Sequence, residues 1–162
     1  MNAKFLCLFG LVLTSTIAVF GQSKRGPFEG VWQVAEVTRR GTDGLMTFKP
    51  GPNLTIFTRK HYSRIDVQGQ KPRPALVNPA TATAEELREV WGPSVAEAGT
   101  YELTQGQLIL RPIVAKNPAA MAPDVSIVYS YKLEDGALIL TSQRDQNGLV
   151  ATPFTIKLMR ID

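Results

Sequence analysis

After an apolar opening, the chain settles into short stretches in which hydrophobic and polar residues alternate. In Gly30-Val31-Trp32-Gln33-Val34-Ala35-Glu36-Val37-Thr38, the residues Trp32, Val34 and Glu36 fall on one face. A period of two is the signature of a strand with one face inward. Similar runs at residues 54–59, 62–67, 99–104, 107–114, 125–133, 137–142 and 153–161 bring the expected count to eight strands. Gln105-Gly106 and Asp135-Gly136 read as tight two-residue hairpin turns. Gly41, Gly44, Pro50, Gly51 and Pro52 mark a longer connection, as do the Pro/Ala-rich residues 118–123. Residues 69–74, with prolines on both sides of Arg73, read as an exposed loop. One helical segment interrupts the strands. Thr83-Ala84-Glu85-Glu86 has the form of a capping box, Leu87, Val90 and Trp91 follow at helical spacing, and Gly92-Pro93 stops the helix.

Eight strands joined mostly by hairpins leave two unpaired edges unless the sheet closes on itself. The expected fold is therefore all-β: an eight-stranded antiparallel up-and-down barrel with one short mid-chain helix. A β-sandwich satisfies the same strand count.

Composition narrows the context. The run from Phe5 to Phe20 carries no charge, follows Lys4, and gives way to Gly21 and the polar Gln22-Ser23-Lys24-Arg25. This is the layout of a secretory signal peptide, too short for a membrane span. The expected division is a signal peptide at residues 1–21 and a single barrel domain at 22–162, with the mature chain secreted or periplasmic. Removing Lys4 leaves 17 of the 18 basic side chains against 14 acidic ones, and the net charge falls from +4 to +3. No basic run is dense enough to point to nucleic acid. The only cysteine, Cys7, lies inside the leader. The mature chain thus has no disulfide or thiolate metal site, and one histidine, His61, makes no multi-histidine site. No metal and no cofactor is implied.

The polar-tipped side chains on expected strands are Tyr62, Arg64, Tyr101, Tyr129 and Tyr131, which make the candidate ligand-binding set. Tyr129 and Tyr131 share a face with Ile127 and Leu133, an inward pattern. Aliphatics, tyrosines and an arginine around one cavity suit an amphipathic anion such as a fatty acid. Ordinary packing accounts for the tyrosines equally well, and Arg111 reads as outer wall. His61, in Arg59-Lys60-His61-Tyr62, reads first as a turn residue between strands and second as a general base or haem ligand. Glu85, Glu86 and Glu89 read as a solvated helix face. No catalytic constellation emerges.

The chain resembles the bacterial lipocalin-like proteins. Gly30-Val31-Trp32 is similar to the glycine-x-tryptophan that opens lipocalin barrels, and Arg160 to the late arginine that packs over that tryptophan. The short glutamate-bearing helix followed by Gly99-Thr100-Tyr101 is similar to the middle of the bacterial branch. The resemblance implies that Gly30, Trp32 and Arg160 close one end of a barrel. It also implies that the protein binds or carries a small hydrophobic or amphipathic molecule. Two other functions remain open: an isomerase- or cyclase-type enzyme using Tyr62 or His61, and an envelope interaction or inhibitor module acting through residues 69–74 or 118–123.

Overall fold

The computed structural model describes residues 25–69 and 71–162, so the expected leader lies outside the described residues. The elements are β1 (Gly30–Gly41), β2 (Gly44–Phe48), β3 (Asn53–Phe57), β4 (His61–Val67), α1 (Ala84–Trp91) and β5 (Ser94–Thr104). There follow β6 (Gln107–Ala115), a 3₁₀ turn (Pro118–Met121), β7 (Ile127–Glu134), β8 (Ala137–Asp145), β9 (Gly148–Leu149) and β10 (Phe154–Arg160). The wall runs β1-β3-β4-β5-β6-β7-β8-β10, every neighbouring pair is antiparallel, and β10 pairs with both β8 and β1. The sheet is closed. This is the eight-stranded barrel, and the sandwich is excluded.

The two additional strands extend hairpins. β2 pairs with the outer half of β1, and β9 with the end of β8. Gly41 and Gly44, expected within an irregular connection, form the turn of the β1–β2 hairpin, where they pair across it. β5 starts at Ser94, five residues before the expected Gly99. Its first residues read as small and mixed, yet they pair with β4 along their whole length. The Asp135-Gly136 turn is as expected: both residues take positive φ, 50° and 77°, as a primed hairpin turn requires.

One strand departs from strict alternation. A bulge in β1 between Val34 and Glu36 changes the register against β10. The extra residue resets the parity, so Val37 faces the lumen and Glu36, expected beside Trp32 and Val34, is exposed. Beyond this point β1 leaves β3, and Asn53 substitutes for the missing ladder. Its side-chain oxygen accepts from Val34 N at 2.6 Å, while its amide nitrogen donates to Val34 O at 3.2 Å and Gly51 O at 2.9 Å.

The core fills one end of the barrel. Trp32, Phe28, Leu108, Leu138 and Leu158 are essentially inaccessible to water. Phe28 stands edge-on to Phe57 at 5.6 Å and to Tyr131 at 5.0 Å, and Phe57 stands edge-on to Tyr101 at 5.1 Å. Each such side chain contributes about 1.5–3 kcal/mol by burial. The Arg160 guanidinium lies 4.4 Å over the Trp32 ring and donates to the carbonyls of Glu29 and Pro27. The Trp32 indole N–H donates to Phe28 O at 2.8 Å. Gly30, with φ of +144°, brings its α-carbon against this guanidinium, where a Cβ would sit 2.1 Å from Arg160 Nη1. The opposite end is not plugged.

α1 lies outside the wall and buries none of its residues. Its capping box is complete: Thr83 Oγ1 accepts from Glu86 N, and the Glu86 carboxylate accepts from Thr83 N at 2.7 Å. No helix among the described residues is long and apolar enough to cross a membrane.

Candidate functional site

The unplugged end holds a cavity of about 1120 Å³. Its apolar wall comes from Val34 and Val37 of β1, Phe48 of β2, Val95 of β5, and Phe154 and Ile156 of β10. Arg64 and Asp66 of β4 and Tyr129 of β7 supply the polar wall. Residues 67–69 and 71–74 border the mouth; the loop expected to be exposed is exposed at residues 69 and 71–74, and it runs as a strap beside the opening. Arg73 fastens it, donating to Val90 O at 3.2 Å and Ser94 Oγ at 2.9 Å. The strap also borders a second, more open groove of about 730 Å³, which takes in Leu76, Pro79, Val90 and Trp91.

The polar wall follows from an inverted strand. In β4 the inward residues are Tyr62, Arg64 and Asp66, whereas Ile65 points outward and is 58% exposed. Putting charge inside and isoleucine outside opposes the hydrophobic effect, a local conflict of the kind found where function outweighs stability. The cluster has its own counterion. Arg64 Nε lies 3.1 Å from Oε1 of the buried Glu97, and Arg64 Nη1 donates to Tyr129 Oη at 3.0 Å. Tyr62 Oη donates to the same Glu97 oxygen at 3.1 Å. The Glu97 contact is an ion pair without hydrogen-bond alignment, leaving Arg64 Nε without a hydrogen-bond partner. Asp66 Oδ1 is likewise buried without one among the described residues.

Burial and the neighbouring Glu97 push the Tyr62 phenol far above its usual range, so it remains a donor. Burial also raises Asp66; Arg64 opposes that rise and Glu97 adds to it. Burial works against the Arg64 charge, but the surrounding Tyr129, Glu97 and Asp66 oxygens more than offset it.

The five candidate residues therefore separate. Tyr62, Arg64 and Tyr129 meet in one network, of which Arg64 and Tyr129 line the cavity. Tyr101 and Tyr131 stand at the plugged end against Phe57 and Phe28, and Tyr101 Oη donates to Thr58 O at 2.8 Å. His61 is exposed at the start of β4 beside the Thr58 turn, and is not part of the cavity wall. Arg111 stands outside, 3.7 Å from Glu102. No group of three or more histidine, cysteine, aspartate or glutamate side chains is placed to hold a metal ion among the described residues.

Glu97 and Asp66 were not among the candidates. Glu97 carried a signal: a single charge in Val95-Ala96-Glu97-Ala98-Gly99, at the parity of Tyr101, becomes visible once β5 begins at Ser94. Asp66 shares the parity of Tyr62 and Arg64, and the aliphatic Ile65 between them masks the inversion.

No protein-family model matches the chain, and no curated protein matches it. Among solved structures, a lipocalin-like protein from Bacteroides uniformis is similar at a TM-score of 0.48 and 15% identity, over 84% of this chain and 100% of that one. The barrel of the present chain has, from its own geometry, the strand number, the closure and the Trp32–Arg160 stack that the lipocalin resemblance implies.

Proposed function

We propose that this protein binds and carries a small hydrophobic or amphipathic molecule in the open half of its barrel. One observation carries the reading: a cavity of about 1120 Å³ with an aliphatic and aromatic wall and a few convergent polar groups. That combination of size and lining is what small-molecule sites provide. A barrel built only for stability fills its lumen with side chains, as the Trp32 end of this one does. The leader expected at residues 1–21 supports a secreted or periplasmic carrier. Enzymatic use of His61 is disfavoured by its position away from the cavity.

Native mass spectrometry of protein secreted by its own host, followed by organic extraction, tests the reading. One small molecule per chain, displaced by a fluorescent fatty-acid probe that competes for the cavity, is the expected result. A ligand-free mass together with no uptake of the probe, at protein concentrations well above micromolar, would refute it.

A further inference from the structure

The cavity carries its charges in two separate places. At its mouth stand Arg39, Arg40, Lys71 and Arg73, all exposed, with Glu89 as the one acidic residue of that rim. Inside, the single cation Arg64 faces two carboxyl groups, Glu97 and Asp66. Arg64 is already committed, through its ion pair with Glu97 and its hydrogen bond to Tyr129. An acid entering head-first would bring a third carboxyl group into a wall whose single guanidinium charge already faces two. Burying a charge without a free partner is costly. The same acid left at the mouth meets an excess of three cations.

The inner wall asks for something else. Tyr129 Oη accepts from Arg64, so its own proton is left to donate. Asp66 lines the cavity, and its Oδ1 is buried without a hydrogen-bond partner among the described residues. A phenol that can give and a carboxyl that can accept fit a hydroxyl or an amide, each both donor and acceptor.

Building on the carrier reading, we propose that the ligand is an amphipathic acid that enters tail-first. The far end of its apolar chain bears a hydroxyl or amide that meets Asp66 and Tyr129, and its acidic group stays at the Arg39, Arg40, Lys71 and Arg73 mouth. Burial also raises the proton affinity of Asp66, with Glu97 adding to the rise.

Calorimetric titration with dodecanoic acid, ω-hydroxydodecanoic acid and dodecanol tests this on the folded barrel. The hydroxy acid is expected to bind about five- to ten-fold more tightly than the plain acid, the return of one well-made buried hydrogen bond. Asp66→Ala removes an unpaired carboxyl and should retain the fold while erasing that advantage. Tyr129→Phe, checked for folding by circular dichroism, is the second variant and should reduce it. Arg39→Ser with Arg40→Ser should weaken both acids and leave dodecanol unchanged. Equal affinity for the two acids on the wild type, or an advantage that survives both inner-wall variants, overturns the proposal while the carrier reading stands. A several-fold gain in dodecanoic acid affinity on Asp66→Ala also overturns it, because it would place the carboxylate inside. Binding of none of the three probes would refute the carrier reading itself.

Discussion

Arg64 Nη1 donates to Tyr129 Oη at 3.0 Å, joining β4 to β7 across the lumen, although 65 residues separate the two in the chain. The bridge exists because Glu97 stands behind it and neutralises the guanidinium at 3.1 Å. Breaking a buried pair from one side leaves a charge that neither water nor protein compensates, at a cost of roughly 3–5 kcal/mol. Glu97→Gln, which leaves Asp66 as the one carboxyl group facing Arg64, should lower unfolding free energy by an amount toward the lower end of that range in urea titration. Replacing both partners, Arg64→Met with Glu97→Leu, should recover most of it. A double variant no more stable than Glu97→Gln would show that the network is not an ion pair supported against desolvation.

Asp66 should give a pH signature. Its pKa is raised in the folded barrel, by burial first, so the native state holds this proton to higher pH than the unfolded chain. The associated stability is fully present below the ordinary aspartate value of about 3.9 and is lost as pH rises through the folded value. Asp66→Asn has nothing to lose over that interval. The stability of the variant relative to wild type should then climb between acid and neutral pH, measured by urea unfolding at a series of pH values. A relative stability that falls toward neutral pH would mean that Arg64 holds Asp66 more strongly than burial disfavours its charge.

At the plugged end, Arg160 combines a face contact with Trp32 and donation to the carbonyls of Glu29 and Pro27. Arg160→Ala should cost about 2 kcal/mol, the sum of a partly desolvated cation–π contact and lost charge-assisted hydrogen bonds. Arg160→Lys should restore less than half, because an ammonium cannot stack flat on the indole while reaching two carbonyls. Thermal unfolding of the two variants checks this, and equal stability of Lys and wild type would contradict it. Ligand affinity at the distant mouth should change little.

Much of this barrel was legible because its strands obey simple rules. Turn residues such as Asp135-Gly136 and alternating runs such as Ile127, Tyr129 and Tyr131 fix hairpins and facing, and the Thr83/Glu86 pair marks the helix start. The site was legible only in part, for two physical reasons. The β1 bulge shifts the parity from Glu36 to Val37, and a bulge is set by pairing with β10 rather than by its own residues. The inverted β4 hides Asp66 beside Ile65, where the hydrophobic effect alone would put the isoleucine inside. Tyr101 and Tyr131 show the converse limit. Inward facing was readable for Tyr131, but depth along the barrel, which separates plug from cavity, depends on stagger between strands that no single strand encodes.

α1 completes the mouth without joining the core, and this predicts separable stabilities. None of its residues is buried, and Trp91 is 56% exposed. It is held by its capping box, by Arg73 of the strap, and by Lys116, whose ammonium donates to the carbonyls of Trp91, Gly92 and Ser94 at its C-terminal end. A cation there also complements the helix dipole. Because these contacts are polar and superficial, loss of one should open the helix locally rather than unfold the barrel. Thr83→Ala removes the hydroxyl that caps Glu86 N, and Lys116→Met removes the C-terminal clamp. Each should accelerate amide hydrogen exchange in α1 by roughly five-fold, the usual worth of a cap, with exchange in β6 to β8 unchanged. Equal acceleration in the barrel strands would mean instead that α1 folds and unfolds with the barrel as one unit.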